Sequence, residues 1–475
     1  MNALTRRPVH PAGRLLSDTE ADLIRLAQEP GFRRWLDQIT ATGGCSHPIY
    51  LSGRTTTLDA SNGTVLRHYD TTTEPGGRLA VRCRNRRASL CQPCARLHSA
   101  DTFHLVRAGL LGGKNVPTTV GHHPRLFVTL TAPSWGPVHR ATEGGPCHPR
   151  RNGGSCEHNQ PVGCGLAHAP DHPAVGQPVC PRCYDYSAHV LWHAHAGVLW
   201  NRTTGAIRRR LAAAAGTSQA RVSDHLRLSF AKVTEYQRRG AVHFHAVIRL
   251  DGPDGPASPP PVWATAELLT GAVRAAAASV TVSLPYSPGL GEHTVRWGAQ
   301  LDIDPIHHAF TDESPVTDQA VAAYVAKYVS KSVGDSAGGT DHRITSPQDI
   351  ALAPASGHVR ALMGTCWRLG GLRELEHLHL RAWAHTLGYR GHVLTKSIRY
   401  STTYGELRAA RARHAMPSED LGPTGITESA WRYVGSGHTP GAAAIATGIA
   451  QDLATLRDIL REERSHAGWR PPHAG

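Results

Sequence analysis

Two neighbouring stretches of the chain alternate between apolar and polar residues, and a period of two is the pattern of a half-buried β-strand. They run from Leu226 to Tyr236 and from Val242 to Leu250, and the short connection between them contains Gly240. A short glycine-containing connection predicts an antiparallel hairpin. Every even-numbered residue of the second stretch is apolar. We therefore expect that face of the hairpin to lie on a core.

The opposite face of the second strand carries two histidines. His243 and His245 are two residues apart, so their imidazoles point the same way and can bind one divalent cation. A hairpin centred on Arg239 would place Glu235 across from His243 as a third ligand. Two imidazoles and a carboxylate suit Mg²⁺ or Mn²⁺ in Lewis-acid chemistry on a phosphodiester. The alternative is that both histidines are ordinary surface or core residues.

A second pattern predicts a helix over Asp318 to Val333. Thr317 is a suitable N-cap, Gly334 stands where a C-terminal cap belongs, and the segment between them contains no Pro or Gly. Apolar residues at helical spacing form a stripe that would seat the helix on a core, namely Ala322, Val325, Ala326, Val329 and Val333. Four other residues share the opposite stripe, namely Tyr324, Lys327, Tyr328 and Lys331.

The two tyrosines of this helix need a role other than packing, because the apolar stripe is already filled. Tyrosines on a helix are usually core or partner contacts, which is the ordinary alternative. A phenol has a free pKa near ~10, so attack on a phosphate requires a base, a polarised target or nearby cations. Lys327 and Lys331 each lie three residues after a tyrosine. They can stabilise a phenolate or the charge of a transition state.

The first group of cysteines has the spacing of a zinc site. Cys91 and Cys94 form a C-x-x-C knuckle, and Cys83 and Cys45 complete a set of four thiolates suited to tetrahedral zinc. His98 is the alternative to Cys45 as fourth ligand. Inert buried cysteines are the alternative to a metal site.

A second group of cysteines and histidines occupies Cys147 to Cys183, which holds too many Pro and Gly residues to pack without help. A second structural zinc ion is the simplest account. The ligands predicted for it are Cys147, Cys156, Cys180 and Cys183. The possible substitutes are Cys164, His158 and His168, and there are enough ligands for more than one ion.

The charge balance indicates a phosphate-rich partner. The chain of 475 residues has a formal net charge of +14, yet only 19% of its residues are charged and 40% are hydrophobic. These values predict a globular protein that binds nucleic acid, and not a disordered basic arm. The N-terminal residues lack the apolar region of a signal peptide, and no apolar run is long enough for a membrane span. We therefore expect a soluble, cytoplasmic protein.

The order of strands and helices predicts an α+β fold with four regions. Residues 1–115 form a helical lead and the first cysteine-rich segment, and residues 120–335 form the domain with the histidines and tyrosines. The second cysteine group is an insertion at about 136–190 in that domain. Residues 336–410 form a basic, DNA-contacting accessory region, and residues 411–475 form a helical tail.

Three blocks of the sequence resemble those of the HUH endonucleases in order and spacing. They are Phe127 to Thr131, Glu235 to Leu250 and Tyr324 to Lys331. The chain is most similar to the replication initiator proteins of actinobacterial plasmids and integrative elements, and this resemblance extends from the cysteine-rich front to Thr395–Thr403. It implies a central antiparallel sheet with flanking helices. It also implies a tyrosine that cuts one DNA strand, keeps the 5′ end as a phosphotyrosine and leaves a free 3′ hydroxyl for rolling-circle replication.

The resemblance also implies roles for individual residues. His243 and His245 would be ligands of Mg²⁺ or Mn²⁺, with Glu235 as the third. Tyr328 would be the nucleophile that cuts the strand, and Tyr324 the second nucleophile that cuts the regenerated strand.

The implied partners are origin DNA and the host replication machinery. The chain has no G-x-x-x-x-G-K-[ST] loop, so a host helicase would have to unwind the duplex. One alternative is an HUH relaxase or transposase of a mobile element. Another is a zinc-stabilised DNA-binding regulator without catalytic activity.

Overall fold

The computed structural model describes residues 16–149, 154–306, 317–331, 333–415 and 425–467. The helices in these ranges are α1 (Asp18–Ala27), α2 (Phe32–Ala41), α3 (Gln92–Leu111), α4 (Tyr186–Ala214), α5 (Ala266–Ser279), α6 (Asp318–Val329), α7 (Val333–Ala337), α8 (Pro347–Leu352), α9 (Gly357–Leu369), α10 (Tyr404–Ala415) and α11 (Pro440–Ala467). The strands are β1 (Ile49–Asp59), β2 (Val65–Asp70), β3 (Leu79–Val81), β4 (Arg125–Leu130), β5 (Arg227–Tyr236), β6 (Val242–Asp251), β7 (Thr281–Ser283), β8 (Thr294–Arg296), β9 (Leu301–Pro305), β10 (Leu394–Lys396) and β11 (Gly425–Ser436). The fold is mixed α+β with antiparallel sheets, as predicted.

The described residues of Met1–His98 and Arg411–Gly475 form one compact unit. Its sheet has the order β11-β1-β2, with β3 also paired to β1. A small core joins α2 to α11 through Trp35, Ile39 and Ala446. The C-terminal tail therefore packs with the N-terminal segment, although the sequence pattern placed them in separate regions.

The pairing of β1 with β11 is the part of this unit that the sequence did not indicate. The two strands pair antiparallel along their whole length, from Ile49 opposite Ser436 to Asp59 opposite Gly425. Nearly every residue of β11 is exposed, so the strand has no apolar alternation to mark it. The sequence pattern predicted only a helical lead and a cysteine-rich segment in this part of the chain, whereas β1 is an 11-residue strand.

The second unit, Ser99–Ala410, is built on a five-stranded antiparallel sheet of order β10-β5-β6-β4-β9. The predicted hairpin is confirmed, because β5 and β6 pair in a register that sets Glu235 opposite His243. Its turn is closed by a hydrogen bond from the Gly240 N–H to the Gln237 carbonyl at 2.9 Å.

The two faces of this sheet pack on different helices. Phe244, Ala246 and Ile248 lie on the face that forms the main core with α4 and α5. The opposite face carries Val233 and Val247, which pack with residues of α3 and α6. Strand alternation thus separates the core side of β5 and β6 from the side that faces the tyrosine helix.

The tyrosine helix begins as predicted and ends early. The Thr317 side chain accepts a hydrogen bond from the Ala320 N–H at 3.3 Å, which confirms the N-cap. The helix ends at Val329 because Ser330 takes the C-cap position and its hydroxyl donates to the Lys327 carbonyl. The prediction of an unbroken helix to Val333 is wrong, and the side chain of Val333 lies outside the described residues.

Two other predicted elements are shorter in the structure. The sequence pattern also predicts one strand over Thr294 to Ile303, but in the structure this stretch is split into β8 and β9, which belong to different sheets. Gly298 lies between them, and a Cβ there would stand 2.6 Å from the Ala132 carbonyl oxygen, so the chain bends closely around the end of β4. The sequence pattern predicts a further helix over His358 to Gly388, but α9 ends at Leu369, before the pair of glycines at 370 and 371. Among the described residues, no helix is both long and apolar enough to cross a membrane.

A buried ion pair fastens α6 to the sheet. Arg125 begins β4 and Asp318 begins α6, and Arg125 Nη1 lies 2.9 Å from Asp318 Oδ1. The two side chains are only 4% and 1% exposed. Because the pair joins the first residue of the helix to the first residue of a central strand, it fixes where the helix starts on the sheet.

We expect Asp318→Asn to lower the free energy of unfolding by about 3–5 kcal/mol, because it leaves the Arg125 guanidinium buried without its counter-charge. Urea unfolding followed by tryptophan fluorescence measures the change. The matched control is Asp224→Asn, which breaks an ion pair with Arg221 whose side chains are 59% and 75% exposed; there we expect a change within about 1 kcal/mol. An Asp318→Asn protein as stable as this control would contradict the anchoring role.

Candidate functional site

His245 is the most constrained side chain on the helix-facing side of the sheet. Its Nε2 lies 2.9 Å from Glu235 Oε2, and its Nδ1 lies 3.0 Å from Thr129 Oγ1. The Phe127 ring stacks on the imidazole with a centroid distance of 5.9 Å. Three adjacent strands, β4, β5 and β6, therefore hold this imidazole in one orientation.

His243 lies one step along the same face. Its ring centroid is 6.1 Å from that of His245, and Glu235 is its cross-strand partner. Burial lowers the pKa of His243 to about 4, with further lowering by the charges of His245 and Arg239. The imidazole is therefore neutral near pH 7, which is the form that binds metals.

The Tyr324 hydroxyl reaches this polar group from α6. It donates to Glu235 Oε2 at 3.3 Å and lies 3.3 Å from His245 Nε2. Burial and the negative charge of Glu235 raise the pKa of Tyr324 well above its ordinary value. The phenol is thus neutral and already in contact with the Glu235 carboxylate, which can accept its proton.

Tyr328 lies one turn further along α6, with both lysines of the predicted stripe beside its ring. Its ring centroid is 4.6 Å from that of Tyr324 and 6.2 Å from that of His245. Lys331 Nζ is 4.7 Å and Lys327 Nζ is 5.7 Å from the Tyr328 ring centroid. The spacing suggested that Lys327 lies beside Tyr324 and Lys331 beside Tyr328. In the structure both lysines lie beside the Tyr328 ring. Lys331 reaches Tyr328 from the residues that follow the shortened helix.

The tyrosines also differ from the prediction in how they face the core. Sequence analysis set them on the stripe opposite the packing surface. In the structure both are half-buried, and they flank the buried stripe and face the sheet, whereas Lys327 is exposed. The difference arises because Val321 is buried beside Val325, so the packed surface of α6 extends toward the tyrosines.

The donor atoms of Glu235, His243 and His245 are chemically suited to a divalent cation, since they belong to one carboxylate and two imidazoles. Among the described residues, three other groups have all their donor atoms within 4.8 Å of one another. The donor atoms of Glu235, His243 and His245 are farther apart than those of these three compact groups.

The first of the compact groups joins all four predicted cysteines, Cys45, Cys83, Cys91 and Cys94. Cys45 Sγ lies 3.7 Å from Cys91 Sγ and 3.6 Å from Cys94 Sγ. Zinc–sulfur bonds of about 2.3 Å give a tetrahedral edge of about 3.8 Å, so this spacing fits a single zinc ion. Backbone N–H groups of Ser46 and Cys83 point at two of the sulfurs, an arrangement that orients thiolate ligands. The alternative ligand His98 is not a member of the group.

The second predicted site is divided into two in the structure, which corrects the grouping of Cys147 with Cys156, Cys180 and Cys183. One group consists of Cys156, His158, Cys180 and Cys183. His158 Nδ1 lies 3.2 Å from Cys183 Sγ and 3.8 Å from Cys180 Sγ. His158, which was only a possible substitute, takes the place given to Cys147.

The other group consists of His139, Cys147, Cys164 and His168. Cys147 Sγ lies 3.6 Å from His139 Nδ1, and Cys164 Sγ lies 3.4 Å from His168 Nε2. Cys147 joins this group because its N–H donates to the Leu166 carbonyl at 2.8 Å, which sets it beside Cys164. Sequence analysis missed His139, which lies outside the Cys147–Cys183 range; a histidine eight residues before a cysteine in the same Pro- and Gly-rich insertion was the available signal.

These Cys and His residues take the place of a core in the insertion. None of the described residues between 139 and 183 belongs to a buried hydrophobic cluster. Cys147, Cys164, His168 and Cys180 are buried instead. A segment of this kind is held together by bound metal when apolar contacts are missing.

We expect purified protein to contain three zinc ions per chain, one for each compact group, as measured by plasma mass spectrometry. Cys164→Ser and Cys183→Ser should each reduce the content to two. Cys366→Ala is the control, because Cys366 is a buried free cysteine of α9 that belongs to none of the three groups. A content of three in Cys164→Ser would contradict the site formed by His139, Cys147, Cys164 and His168.

Comparison with known proteins agrees with the resemblance drawn from the sequence. The family model described as RepSA, replication initiator protein, pSAM2, matches residues 31–451. A replication initiator protein of Streptomyces ambofaciens is 46% identical over 456 residues, which covers 94% of this chain and 95% of that protein. No solved structure matches the chain. Because both matches span nearly the whole sequence, the chain belongs to the RepSA family of replication initiator proteins.

Proposed function

We propose that the chain initiates replication by nicking one strand of origin DNA with a tyrosine of α6, in the manner of an HUH endonuclease. The observation that carries this proposal is the contact of the Tyr324 hydroxyl with Glu235 and His245 at 3.3 Å. Tyr328 lies beside the same imidazole, with two lysines next to its ring. A nucleophile, a base and cationic groups thus meet on one face of a rigid sheet, as transfer of a phosphoryl group requires.

In the proposed step, the tyrosine oxygen attacks the phosphorus of a phosphodiester. An O–P bond to the tyrosine forms and the bond from phosphorus to the 3′ oxygen breaks. The phenolic proton passes to the Glu235 carboxylate, and the departing 3′ oxygen takes up a proton to become a hydroxyl. The products are a 5′-phosphotyrosine and a free 3′ hydroxyl, which primes rolling-circle synthesis.

His243, His245 and Glu235 are the residues that would hold Mg²⁺ or Mn²⁺. When bound, such an ion polarises the phosphodiester and neutralises the charge that develops on its oxygens. Burial opposes ionisation of Glu235, but the hydrogen bond and the charge of His245, together with hydrogen bonds from Tyr324 and Tyr328, lower the pKa of the carboxyl group. Glu235 is therefore an anion near pH 7, while His243 is neutral.

The two tyrosines are proposed to act in turn, with Tyr328 as the first nucleophile. Lys331 and Lys327 lie 4.7 and 5.7 Å from the Tyr328 ring centroid, where their charges stabilise a phenolate. Tyr324 would make the second cut, on the regenerated strand, with Glu235 as the proton acceptor. Unwinding of the duplex is assigned to a host helicase, because the sequence lacks a nucleotide-binding loop of the Walker type.

We expect the protein to form a covalent adduct with the single-stranded origin of its own element in the presence of Mn²⁺, detected as a band that survives denaturation. Tyr324→Phe with Tyr328→Phe should abolish the adduct, and Tyr328→Phe alone should remove most of the first cleavage. Glu235→Gln should slow adduct formation by about 10²-fold or more. Tyr286→Phe is the control, since Tyr286 is 66% exposed and belongs to neither α6 nor the sheet.

Two outcomes would contradict the proposal. An adduct that persists in the double tyrosine variant would mean that another residue is the nucleophile. Origin binding without any adduct, with either Mg²⁺ or Mn²⁺, would mean that the protein acts as a non-catalytic DNA-binding initiator.

A further inference from the structure

A groove of about 650 Å³ runs from His243 to the Cys/His-rich insertion. One wall comes from the insertion and includes His139, Arg140 and His148. The other wall comes from the turn between β5 and β6 and includes Arg238 and Arg239. All of these residues belong to the unit Ser99–Ala410. The groove therefore connects one candidate zinc ligand, His139, to one candidate ligand of the nicking site, His243.

The chemistry of the groove suits a chain of phosphates. Three arginines line it, and of the residues that form its described lining none is Asp or Glu. Arg140 and Arg238 are exposed, so their guanidinium groups are available to phosphate oxygens. Gln237 and Gln300 add neutral hydrogen-bonding groups, which suit the polar edges of unpaired bases.

Both walls are held in place by contacts within the protein, and one exposed arginine tip takes part, because Arg238 Nη1 donates to the His172 carbonyl at 3.5 Å. Arg239 donates to the carbonyls of Pro133 and Ala132 at 3.1 and 3.2 Å, and its guanidinium lies 5.3 Å from the Trp135 ring centroid. Arg140 Nε donates to the Cys147 carbonyl at 2.8 Å. A groove that is ordered before binding loses less entropy when a flexible strand enters it.

The walls also meet backbone to backbone at one point. Gly176 of the insertion has a φ of +89°, and a Cβ there would stand 2.6 Å from the carbonyl carbon and oxygen of Arg238. Only glycine fits this contact without a shift. The contact closes the groove at this point and fixes the distance between the insertion and the β5–β6 turn.

We propose that this groove is the channel for the single-stranded DNA next to the phosphate that is cut. The assignment rests on the proposed nicking function, because the end of the groove at His243 is where the scissile phosphate would lie. Single-stranded DNA usually binds a positively charged groove that offers flat rings for its bases and hydrogen-bonding groups. In this groove the rings are the imidazoles of His139, His148 and His243. The insertion thus acts as a metal-stabilised wall that guides the substrate into the site.

The test measures binding of fluorescein-labelled (dT)20 to the full zinc-loaded protein by fluorescence anisotropy. Arg140→Ala with Arg238→Ala should weaken binding at least about tenfold. It should also reduce the slope of log K against log salt by about 1.4, because each phosphate contact to a single strand contributes about 0.7. Arg238→Glu alone should weaken binding further than Arg238→Ala.

The matched control is Arg209→Ala with Arg210→Ala, which removes the same charge from exposed positions on α4 that do not line the groove. We expect less than a twofold change in binding. Unchanged zinc content and circular dichroism verify that both double variants are folded.

Three results would overturn the proposal. They are equal weakening by the two arginine pairs, no weakening by the groove pair, and tighter binding of duplex (dA)20·(dT)20 than of (dT)20. If no protein forms an adduct but the groove pair still weakens (dT)20 binding, the nicking function fails and the groove remains a binding site for single-stranded DNA.

Discussion

The two-residue period of β5 and β6 is the constraint on which the rest of the second unit depends. It sends Phe244, Ala246 and Ile248 to the core beneath α4 and α5. It sends Glu235, His243 and His245 to the face beneath α6. A shift of one residue in the pairing would exchange these faces and would bury the carboxylate and both imidazoles in the apolar core. The same apolar residues that stabilise the sheet therefore also orient the candidate site.

The position of α6 is set by electrostatics at its first turn and by packing along its length. The Arg125–Asp318 ion pair and the Thr317 cap fix where the helix begins. Val321, Val325 and Val329 then seat it on the sheet. With its start and its rotation fixed, the helix carries the Tyr324 hydroxyl to within 3.3 Å of Glu235. The ion pair is thus part of the positioning of the tyrosines, although neither of its residues touches them.

The Cys/His-rich insertion uses a different source of stability. Its buried residues are metal-ligating side chains where other parts of the chain have apolar clusters. Metal ligation fixes a short, Pro- and Gly-rich segment without a large core, and the segment can then follow the surface of the β5–β6 turn closely. The close approach at Gly176 and the groove beside His243 are consequences of this construction.

The sequence by itself determined the features that depend on local spacing. The alternation of apolar and polar residues predicted the hairpin and the cross-strand pairing of Glu235 with His243. A threonine before a helical stretch predicted the start of α6. A C-x-x-C knuckle predicted the four-cysteine group. Each of these is set by residues near one another in the chain or by the preferences of a short motif. The three blocks that resemble those of the HUH endonucleases are also short stretches of sequence, so the sequence alone predicted the residues of the candidate site.

Only the tertiary structure decided the features that depend on distant residues. The pairing of β1 with β11 joins segments from opposite ends of the chain. Because the residues of β11 are exposed, they have no apolar alternation from which a strand could be predicted. The backbone pairing of Cys147 with Leu166 separated two metal groups and brought in His139. The early end of α6 gathered both lysines around Tyr328. Spacing along the chain fixes which residues share a face, whereas the fold alone fixes which faces meet.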